Sequence, residues 1–487
     1  MANAENEHRH LNKPIPKGET RYTEISASWR GLNRSEKIDS GYLSDVLNLS
    51  LDSSPYLETS PKPSVIRSGY DLPISIHAFN GFYIVVYAQG GKILADYVKG
   101  DRVWTGTINE SDEDMSQRCI IQFNVYSNPS DPVSGTFARK LICYPDKVSF
   151  DFAMDETEGV TEFTVSAIDA DINQTPNLKH ACVYLSRVFG VDDARIYASA
   201  FNDYTNWNLD TADEESSGNA WVSTAQSNVK ADNDFMGVIV YGGTVVAFKR
   251  DFMHEIYNNK NPFRVGDVYA EGTIDMRSVQ DVGGYLIFVS DDNVKIYTGG
   301  NPSGIGSPLG IRKFTSGIAG SFAGNYYLGT GGGKASVFRA SRGMWTVYDM
   351  ESDPVCFASD SESIYTLSSD GKVRQLNTSD YNHAWYLETD LSICSTLDIK
   401  RLKSLQILAD IGTGANVKAY ALKESETFSE ESSQLLFDSK NKTGNVVLRC
   451  MIRQTAGWSH RIRICGTGYV KLYAMQLRYS AGGERFV

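Results

Sequence analysis

Long apolar runs are missing from this sequence of 487 residues. No stretch of about 18 apolar residues occurs, so the sequence does not predict a transmembrane helix. The opening segment, MANAENEHRHLNKPIPKGET, is polar and has no apolar central region, and we therefore expect no ordinary secretory signal peptide. The composition, with 41% hydrophobic and 22% charged residues, is typical of a folded soluble protein rather than a disordered one.

Cysteine and histidine are scarce and scattered. The seven cysteines are odd in number and include no C-x-x-C pair, so we do not expect a disulfide framework. Thiols inside apolar runs such as KLICY fit a chain made in a reducing cytoplasm. The seven histidines include no H-x-x-x-H or H-E-x-x-H pair from which a zinc site is built locally. We therefore predict no bound metal and no cofactor.

Familiar catalytic and ligand-binding motifs are absent or incomplete. No G-x-S-x-G sequence occurs. The nearest approach to a phosphate-binding loop is LGTGGGKAS at 328–336, where Ala335 replaces the hydroxyl residue, so we predict a glycine-rich hairpin turn there. A calcium-type run begins at Asp169 but has Gln174 where such a loop needs glycine. We predict that the protein is not an enzyme and has no catalytic residues.

Glycine and aromatic residues are abundant. The chain has 42 Gly, 27 Tyr and 21 Phe against only 14 Pro, which favours strands joined by tight turns. From about residue 66 to 385, antiparallel units of 40–50 residues repeat, with turn signals such as Asn80-Gly81, Gly242-Gly243 and Asp370-Gly371. This period predicts an all-β fold with a β-propeller of five to seven blades; a pair of β-sandwiches is the competing architecture.

The sequence divides into three segments. Residues 1–65 are punctuated by turns at SSP and SPKP and predict an extended N-terminal arm. Residues 66–385 predict the propeller. An acidic stretch near 107–175 interrupts the repeat, and it is either an irregular blade with an insertion or an inserted subdomain. Residues 386–487 contain longer alternating strands, which predict a C-terminal β-sandwich.

Charge is distributed unevenly along the chain. The formal net charge is −12, yet residues 398–487 contain 14 Lys and Arg against 8 Asp and Glu, a net charge of +6, which leaves −18 on the first 397 residues. An acidic chain is not typical of a protein that wraps DNA, and the asymmetry suggests two bodies with different partners. The acidic loop residues that we expect to face a channel or contact a partner are Asp112, Glu113, Asp114, Asp213, Glu214 and Glu215.

Several runs of the sequence resemble one protein family. They are DARIYASAFNDYTNWN, VIVYGGTVVAFKRDFMHEIY and PFRVGDVYAEGTIDMRSVQDVGGYLIFVSDDNVKIYTGG. The shared pattern is a strand that ends in Phe-Lys-Arg followed by a displayed strand, and it is carried here by Phe248-Lys249-Arg250, by Glu255-Ile256-Tyr257 and by the run from Ser278-Val279 to Tyr297. The run WRGLNRSEKIDSGYLSDVLNLSLDSSPYLETSPKP and the strands after KRLKSLQIL fit the same pattern. From about residue 29 onward the chain resembles the tail nozzle or hub propeller proteins of short-tailed phages, also called packaged-DNA stabilisation proteins. The stretch near 107–175 does not match the family pattern.

The resemblance implies a structural protein of the virion tail, assembled in the host cytoplasm. It implies a homo-oligomeric ring, a hexamer, below the portal-adaptor complex, with other tail proteins such as fibres as further partners. The channel would retain packaged double-stranded DNA and pass it during ejection without binding a specific sequence. We expect part of the acidic surface to face this channel, since it would repel phosphate over a Debye length of about 8 Å.

Two other functions remain open from the sequence. A carbohydrate- or receptor-binding propeller of the tail would use exposed aromatic residues such as Trp207 and Trp221, although we expect these to be packing anchors between blades. A glycoside hydrolase would need two of the many loop carboxylates across a cleft. For the arm we expect ordering against a neighbouring subunit or the adaptor, so that deletion of residues 1–40 leaves a folded propeller but impairs docking.

Overall fold

The computed structural model describes residues 20–35, 42–126, 137–155, 159–168, 175–209, 218–223, 234–390, 399–423, 427–440, 442–452, 456–457 and 460–481. Within these ranges the chain forms forty β-strands, two 3-10 helices (Met276–Ser278 and Ser307–Leu309) and no α-helix. No helix there has the length and apolarity needed to cross a membrane. The prediction of an all-β fold is confirmed.

Seven four-stranded antiparallel sheets form the blades of a β-propeller. Blades one to three are β6–β9 (Leu72–Phe79, Phe82–Gln89, Lys92–Lys99, Arg102–Asn109), β10–β13 (Cys119–Tyr126, Phe137–Tyr144, Val148–Asp155, Gly159–Ala167) and β14–β17 (His180–Tyr184, Arg187–Val191, Ile196–Ala198, Trp221–Val222). Blades four to six are β18–β21 (Phe235–Tyr241, Thr244–Lys249, Met253–Tyr257, Arg264–Tyr269), β22–β25 (Gln280–Asp281, Leu286–Val289, Val294–Tyr297, Ser303–Gly304) and β26–β29 (Ala319–Phe322, Asn325–Gly331, Lys334–Arg339, Met344–Asp349). Blade seven is β30 (Pro354–Ser359), β31 (Ile364–Ser368), β32 (Lys372–Gln375) and β5 (Ser64–Ser68).

Blade seven closes the ring with a strand from the other end of the propeller sequence. Strand β5 precedes blade one in the chain but pairs antiparallel with β32, placing Ser68 opposite Lys372 and Ser64 opposite Gln375. Strand β30 of the same blade packs beside β6 of blade one. Seven blades therefore close into a circle, which leaves only short outer edges exposed. The predicted range of five to seven blades is confirmed at its upper limit.

The acidic stretch near 107–175 contains a regular blade. Strands β10–β13 pair as a meander in consecutive order, like the other blades. Aromatic packing joins this blade to blade one, since the Tyr97 ring lies 5.0 Å from that of Phe152 and 5.9 Å from that of Phe163. Residues 127–136 and 156–158 lie outside the described part of the chain. The sequence left open an irregular blade or an inserted subdomain, and the structure has a blade here.

The C-terminal body is a sandwich of two sheets. The larger sheet contains β1 (Thr20–Ser26), β3 (Leu49–Ser50), β4 (Leu57–Thr59), β34 (Lys400–Ile411), β37 (Gly444–Met451), β38 (Ala456–Gly457) and β40 (Val470–Ala481). The smaller sheet contains β2 (Leu43–Leu47), β33 (Ala384–Asp390), β35 (Asn416–Lys423), β36 (Gln434–Asp438) and β39 (His460–Thr467). Alternate residues such as Leu405 and Ile407 face Ile462 and Ile464 in one apolar core.

The predicted arm is extended, but it does not stand apart from the rest of the fold. Its strand β2 enters the small sheet, and β1, β3 and β4 enter the large sheet. Trp29 and Leu32, each 1% exposed, are buried between the sandwich and blades five and six. Removal of residues 1–40 would therefore take Trp29 and Leu32 out of this core, and the expectation that a folded propeller remains after the deletion stays a prediction.

Residues 29–35 and 42–60, which we call the strap, join the sandwich to the rim of the propeller. The main-chain N–H of Leu32 donates to the oxygen of Trp345 at 2.7 Å, and that of Asn48 donates to the oxygen of Val347 at 2.8 Å. Both acceptors lie on β29, the outermost strand of blade six. The sandwich therefore sits beside the propeller, away from its axis, and shares a continuous apolar core with blades five and six.

Candidate functional site on one face of the propeller

The two ends of the propeller differ in their loops. Because every blade is an antiparallel meander, the turn between its second and third strands lies at the same end as the connection to the next blade. We call this end the connector face. Ion pairs agree with this placement, since Arg118 in a connection between blades pairs with Asp146 in a turn between second and third strands at 2.8 Å.

Carboxylates concentrate in the loops of the connector face and outnumber the cations of the same loops about two to one. Its described loops contain Asp71, Glu110, Asp112, Glu113, Asp114, Asp146, Asp192, Asp193, Asp234, Asp251, Glu271, Asp275, Asp291, Asp292, Glu351, Asp353 and Asp370. The same loops contain Arg118, Lys147, Lys179, Arg195, Arg250, Arg277, Arg312 and Lys313, and four cations on adjoining strands, Lys92, Lys295, Lys372 and Arg374, pair with carboxylates of the face. Loops described at the opposite end contain the carboxylates Asp101, Asp203, Asp360, Glu362 and Asp380, and Asp281 lies at the end of β22 on that side. The connector face is thus the acidic surface of the propeller.

Three of the predicted site residues lie together on this face. Asp112, Glu113 and Asp114 occupy the connection between β9 and β10, where Glu113 and Asp114 are exposed and Asp112 is half-buried. The carboxylate of Asp114 accepts a hydrogen bond from the Ser116 N–H at 2.9 Å, and this bond, together with nearby Arg118, lowers the pKa of Asp114. The other three predicted residues, Asp213, Glu214 and Glu215, lie outside the described residues.

Salt bridges hold several connector loops in place. The guanidinium of Arg374 donates to both carboxylate oxygens of Asp370 at 2.9 and 2.7 Å, and these hydrogen bonds lower the pKa of Asp370 to about 2. Arg250 of blade four reaches Asp291 of blade five at 2.9 Å. Such pairs fix the loops while leaving most of the remaining carboxylates in contact with solvent, so the face presents a persistent negative charge.

Hydrogen bonds join the innermost parts of the blades on this side. The His77 Nε2 atom lies 2.9 Å from the oxygen of Arg118, which links blades one and two, and Cys119 Sγ donates to the oxygen of Ala181 at 3.2 Å, which links blades two and three. Arg277, in the connection that leads into blade five, donates to the oxygen of Val355 in blade seven at 3.5 Å and so reaches past blade six.

The thiol of Cys119 and the imidazole of His180 interact on the same side of the propeller. Burial alone would raise the pKa of the Cys119 thiol, but neighbouring His180 lowers it below its ordinary value, and Cys119 in turn raises the pKa of His180 above its ordinary value. Burial lowers the pKa of His77 to about 4. Sequence reasoning did not find this pair, because its members are 61 positions apart and meet only when blades two and three pack together.

The motifs considered from the sequence have plain structural roles where they are described. Residues 328–336 form the β27–β28 hairpin, whose turn residues Gly331, Gly332 and Gly333 all have positive φ, as predicted. Trp207 is 5% exposed and packs in an apolar cluster with Phe123, while Trp221 is half-buried against the Phe263 ring at 5.6 Å. Both tryptophans are packing residues. The calcium-type run beginning at Asp169 lies outside the described residues.

A shallow pocket of about 350 Å³ lies on the opposite face, where the first turns of blades five, six and seven meet. It is lined by residues that include Asp281, Ser321, Phe322, Asp360 and Ser361. Among the described residues no group of three or more His, Cys, Asp or Glu side chains has the geometry of a metal site, and the six described cysteines are free thiols.

Comparisons with known proteins place this chain by its fold. No protein-family model matches the sequence, and no curated protein does. The fold is similar to that of BamB from Moraxella catarrhalis (13% identity, 68% of this chain and 96% of that chain covered, TM-score 0.38). It is also similar to that of U3-55K (7% identity, 65% of this chain and 100% of that chain covered, TM-score 0.40). A third similar structure is that of the RRP9 WD40 repeats (8% identity, 66% of this chain and 99% of that chain covered, TM-score 0.41). At these identities the likeness concerns the β-propeller fold alone.

Proposed function

We propose that the protein is a structural component of a phage tail, a nozzle or hub subunit that retains packaged DNA and passes it during ejection. The sequence resemblance supplies the biological context. The observation that carries the proposal in three dimensions is the acidic connector face, a fixed, negatively charged surface on a rigid propeller. A surface that DNA must pass should not bind phosphate tightly, and this one opposes such binding.

In this proposal the DNA channel does not run along the axis of a single propeller, where Arg277 of the connection into blade five reaches the Val355 oxygen of blade seven. A conduit has to be formed between subunits of a ring, with the acidic faces directed inward. The strap supports this arrangement, because it joins the propeller and sandwich into one body that can transmit load around a ring.

Imaging of the purified full chain tests the proposal. We expect closed rings, hexameric as the resemblance implies, with a central channel wide enough for B-form DNA and with the connector faces lining it. Rings with a basic lumen and outward-facing connector loops would contradict the acidic-channel model, and a protein that remains monomeric at its highest soluble concentration would contradict the ring.

The role of charge can be tested separately in solution. The double substitution Glu113→Lys and Asp114→Lys changes the formal charge of the connector face by +4 for each subunit. We expect it to give the assembled protein a measurable, salt-sensitive affinity for duplex DNA that the unmodified protein lacks. The matched substitutions Asp101→Lys and Glu362→Lys on the opposite face make the same charge change and should leave DNA binding unaffected.

One observation favours a second candidate, a carbohydrate- or receptor-binding propeller. The pocket on the opposite face combines two carboxylates, Asp281 and Asp360, with serine hydroxyls and Phe322, a mixture suited to a sugar. Binding of the protein to a glycan array, abolished by Asp360→Asn, would establish this candidate. Turnover of a bound glycan that is lost in Asp281→Asn would instead establish the hydrolase alternative.

A further inference from the structure

The large sheet of the sandwich has two open edges, one at each side. Strand β37 pairs with β34 on one side only, and among the described residues no strand pairs with its other edge. Strand β1 likewise pairs with β40, and its outer edge is open over the same part of the structure. An unpaired strand of seven or eight residues presents a row of free N–H and C=O groups to any other chain.

Both edge strands carry exposed apolar side chains. On β37, Val447 and Met451 are 46% and 64% exposed, and on β1 Ile25 is 61% exposed. The β37 sequence GNVVLRCM and the β1 sequence TRYTEIS contain neither proline nor lysine, the residues that commonly block edge pairing. These edges therefore lack the proline and lysine protection, and their charged residues are confined to Arg21 and Glu24 on β1 and Arg449 on β37.

The exposed side chains of the two edges lie on the same face of the sheet. Ile25 is opposite Gln476, Gln476 is opposite Gln406, and Gln406 is opposite Arg449, so these four residues form one cross-strand row. Val447 and Met451 are two positions from Arg449 on β37 and share its face, because side chains alternate along a strand. Alternate residues Leu448 and Tyr22 point into the core instead.

Strand direction is also compatible with joining the edges. Strand β37 runs antiparallel to β34, β34 antiparallel to β40, and β40 antiparallel to β1. Strand β37 is thus antiparallel to β1. If the sheet of one copy continued into that of another, β37 beside β1 would preserve the antiparallel alternation without reversing either subunit.

We propose that β37 of one copy pairs with β1 of a second copy, so that the large sheet continues from subunit to subunit. The contact joins two different edges, so it is head-to-tail and closes into a ring when the rotation between copies permits. A two-fold contact of β37 with β37 is disfavoured, since it places exposed Arg449 near its own copy. This inference deepens the proposed ring and rests on it.

Single substitutions at either edge provide the test. Val447→Lys places a charge on the β37 edge and Ile25→Lys places one on the β1 edge, each at an exposed position where the fold of the subunit is not disturbed. Val103→Lys is a matched control, because Val103 is an exposed valine (39%) on the propeller strand β9. Assembly is measured by analytical ultracentrifugation and native mass spectrometry, and folding by circular dichroism.

We expect Val447→Lys and Ile25→Lys each to weaken association at least tenfold, while Val103→Lys assembles as the unmodified protein does. A mixture of the two edge variants keeps one intact β37 edge and one intact β1 edge. It should therefore give a one-to-one heterodimer and no ring, a result that a two-fold contact does not produce.

The outcomes separate the two proposals. Rings that form equally well with both edge variants overturn the strand pairing and leave the proposed ring standing. Edge variants that fail to assemble but give no heterodimer when mixed overturn the head-to-tail contact. An unmodified protein that stays monomeric overturns both the pairing and the ring.

Discussion

The Asn48 side chain donates from Nδ2 to the main-chain oxygen of Ala384 at 2.7 Å. Its Oδ1 atom accepts the N–H of Asp349 at 2.8 Å, so one buried amide connects the sandwich strand β33 to blade six. Asn48 is 2% exposed and has φ of 56°, a left-handed conformation that asparagine tolerates better than most residues. The propeller and sandwich are thus coupled through Asn48, a residue that lies between strands β2 and β3 rather than within either of them.

Loss of this amide should uncouple the two bodies. Asn48→Ala removes both side-chain hydrogen bonds, leaves buried backbone groups unpaired and places at positive φ a residue that tolerates this conformation less well than asparagine, which together cost about 2–4 kcal/mol. We expect calorimetry to show two unfolding transitions in place of one. Asn48→Gly is the matched variant, because it relieves the backbone strain but loses the same hydrogen bonds, and should be less damaged by about 1 kcal/mol. Equal stability of both variants and the unmodified protein would contradict the coupling.

The buried pair of Arg118 and Asp146 should be important for stability. The Arg118 side chain is fully buried and that of Asp146 is 7% exposed, so Asp146→Ala leaves a buried guanidinium without its carboxylate and with only main-chain oxygens such as those of Asp114 and Ser116 to accept its hydrogen bonds. We expect a loss of about 3–5 kcal/mol in the free energy of unfolding, measured by urea denaturation. The exposed pair of Arg250 and Asp291 is the control, and Asp291→Ala should cost less than about 1 kcal/mol. Similar losses in the two variants would contradict this assignment.

Acid should destabilise the protein through its buried histidines. Burial lowers the pKa values of His77 and His254 to about 4, and Lys249 adds to the effect at His254. The unfolded chain, with histidine pKa values near 6.5, binds more protons between pH 6.5 and 4, so stability rises with pH in this window and falls as pH is lowered. Each histidine contributes up to about 1.4 kcal/mol per pH unit.

The variant with His77→Gln and His254→Gln tests this linkage. We expect urea midpoints measured from pH 7 to 4 to fall less steeply for the variant than for the unmodified protein, with similar slopes above pH 6.5. An unchanged slope between pH 6.5 and 4 would show that other groups control the acid response.

Cys119 should be the most reactive of the blade thiols. His180 favours its thiolate, whereas burial raises the pKa of Cys182, which is half-buried like Cys119. At neutral pH we expect iodoacetamide to label Cys119 several-fold faster than Cys182, as followed by peptide mass spectrometry. His180→Gln should remove the difference between the two rates. Equal rates in the unmodified protein would contradict a thiol–imidazole pair.

The local sequence patterns of this chain predict much of its secondary structure. Repeated hairpins with glycine turns predict the propeller, and residues 328–336 form the expected turn rather than a phosphate site, because short-range backbone preferences decide both. The acidic loop at Asp112, Glu113 and Asp114 was likewise visible as a cluster in the sequence. Its position on a face where carboxylates from other blades gather was not, since those residues are dispersed over some 300 positions.

The sequence by itself determined an all-β chain with a propeller of five to seven blades, which follows from alternation, turns and period, all of which are local properties. Only the tertiary structure decided that β5 closes blade seven, that the strap joins the sandwich to blade six, and that His180 reaches Cys119. Each of these is a contact between distant segments, and its free energy comes from burial and hydrogen bonding that no single segment contains. The same holds for the open edges of β1 and β37, whose relation exists only once β40 and β34 lie between them.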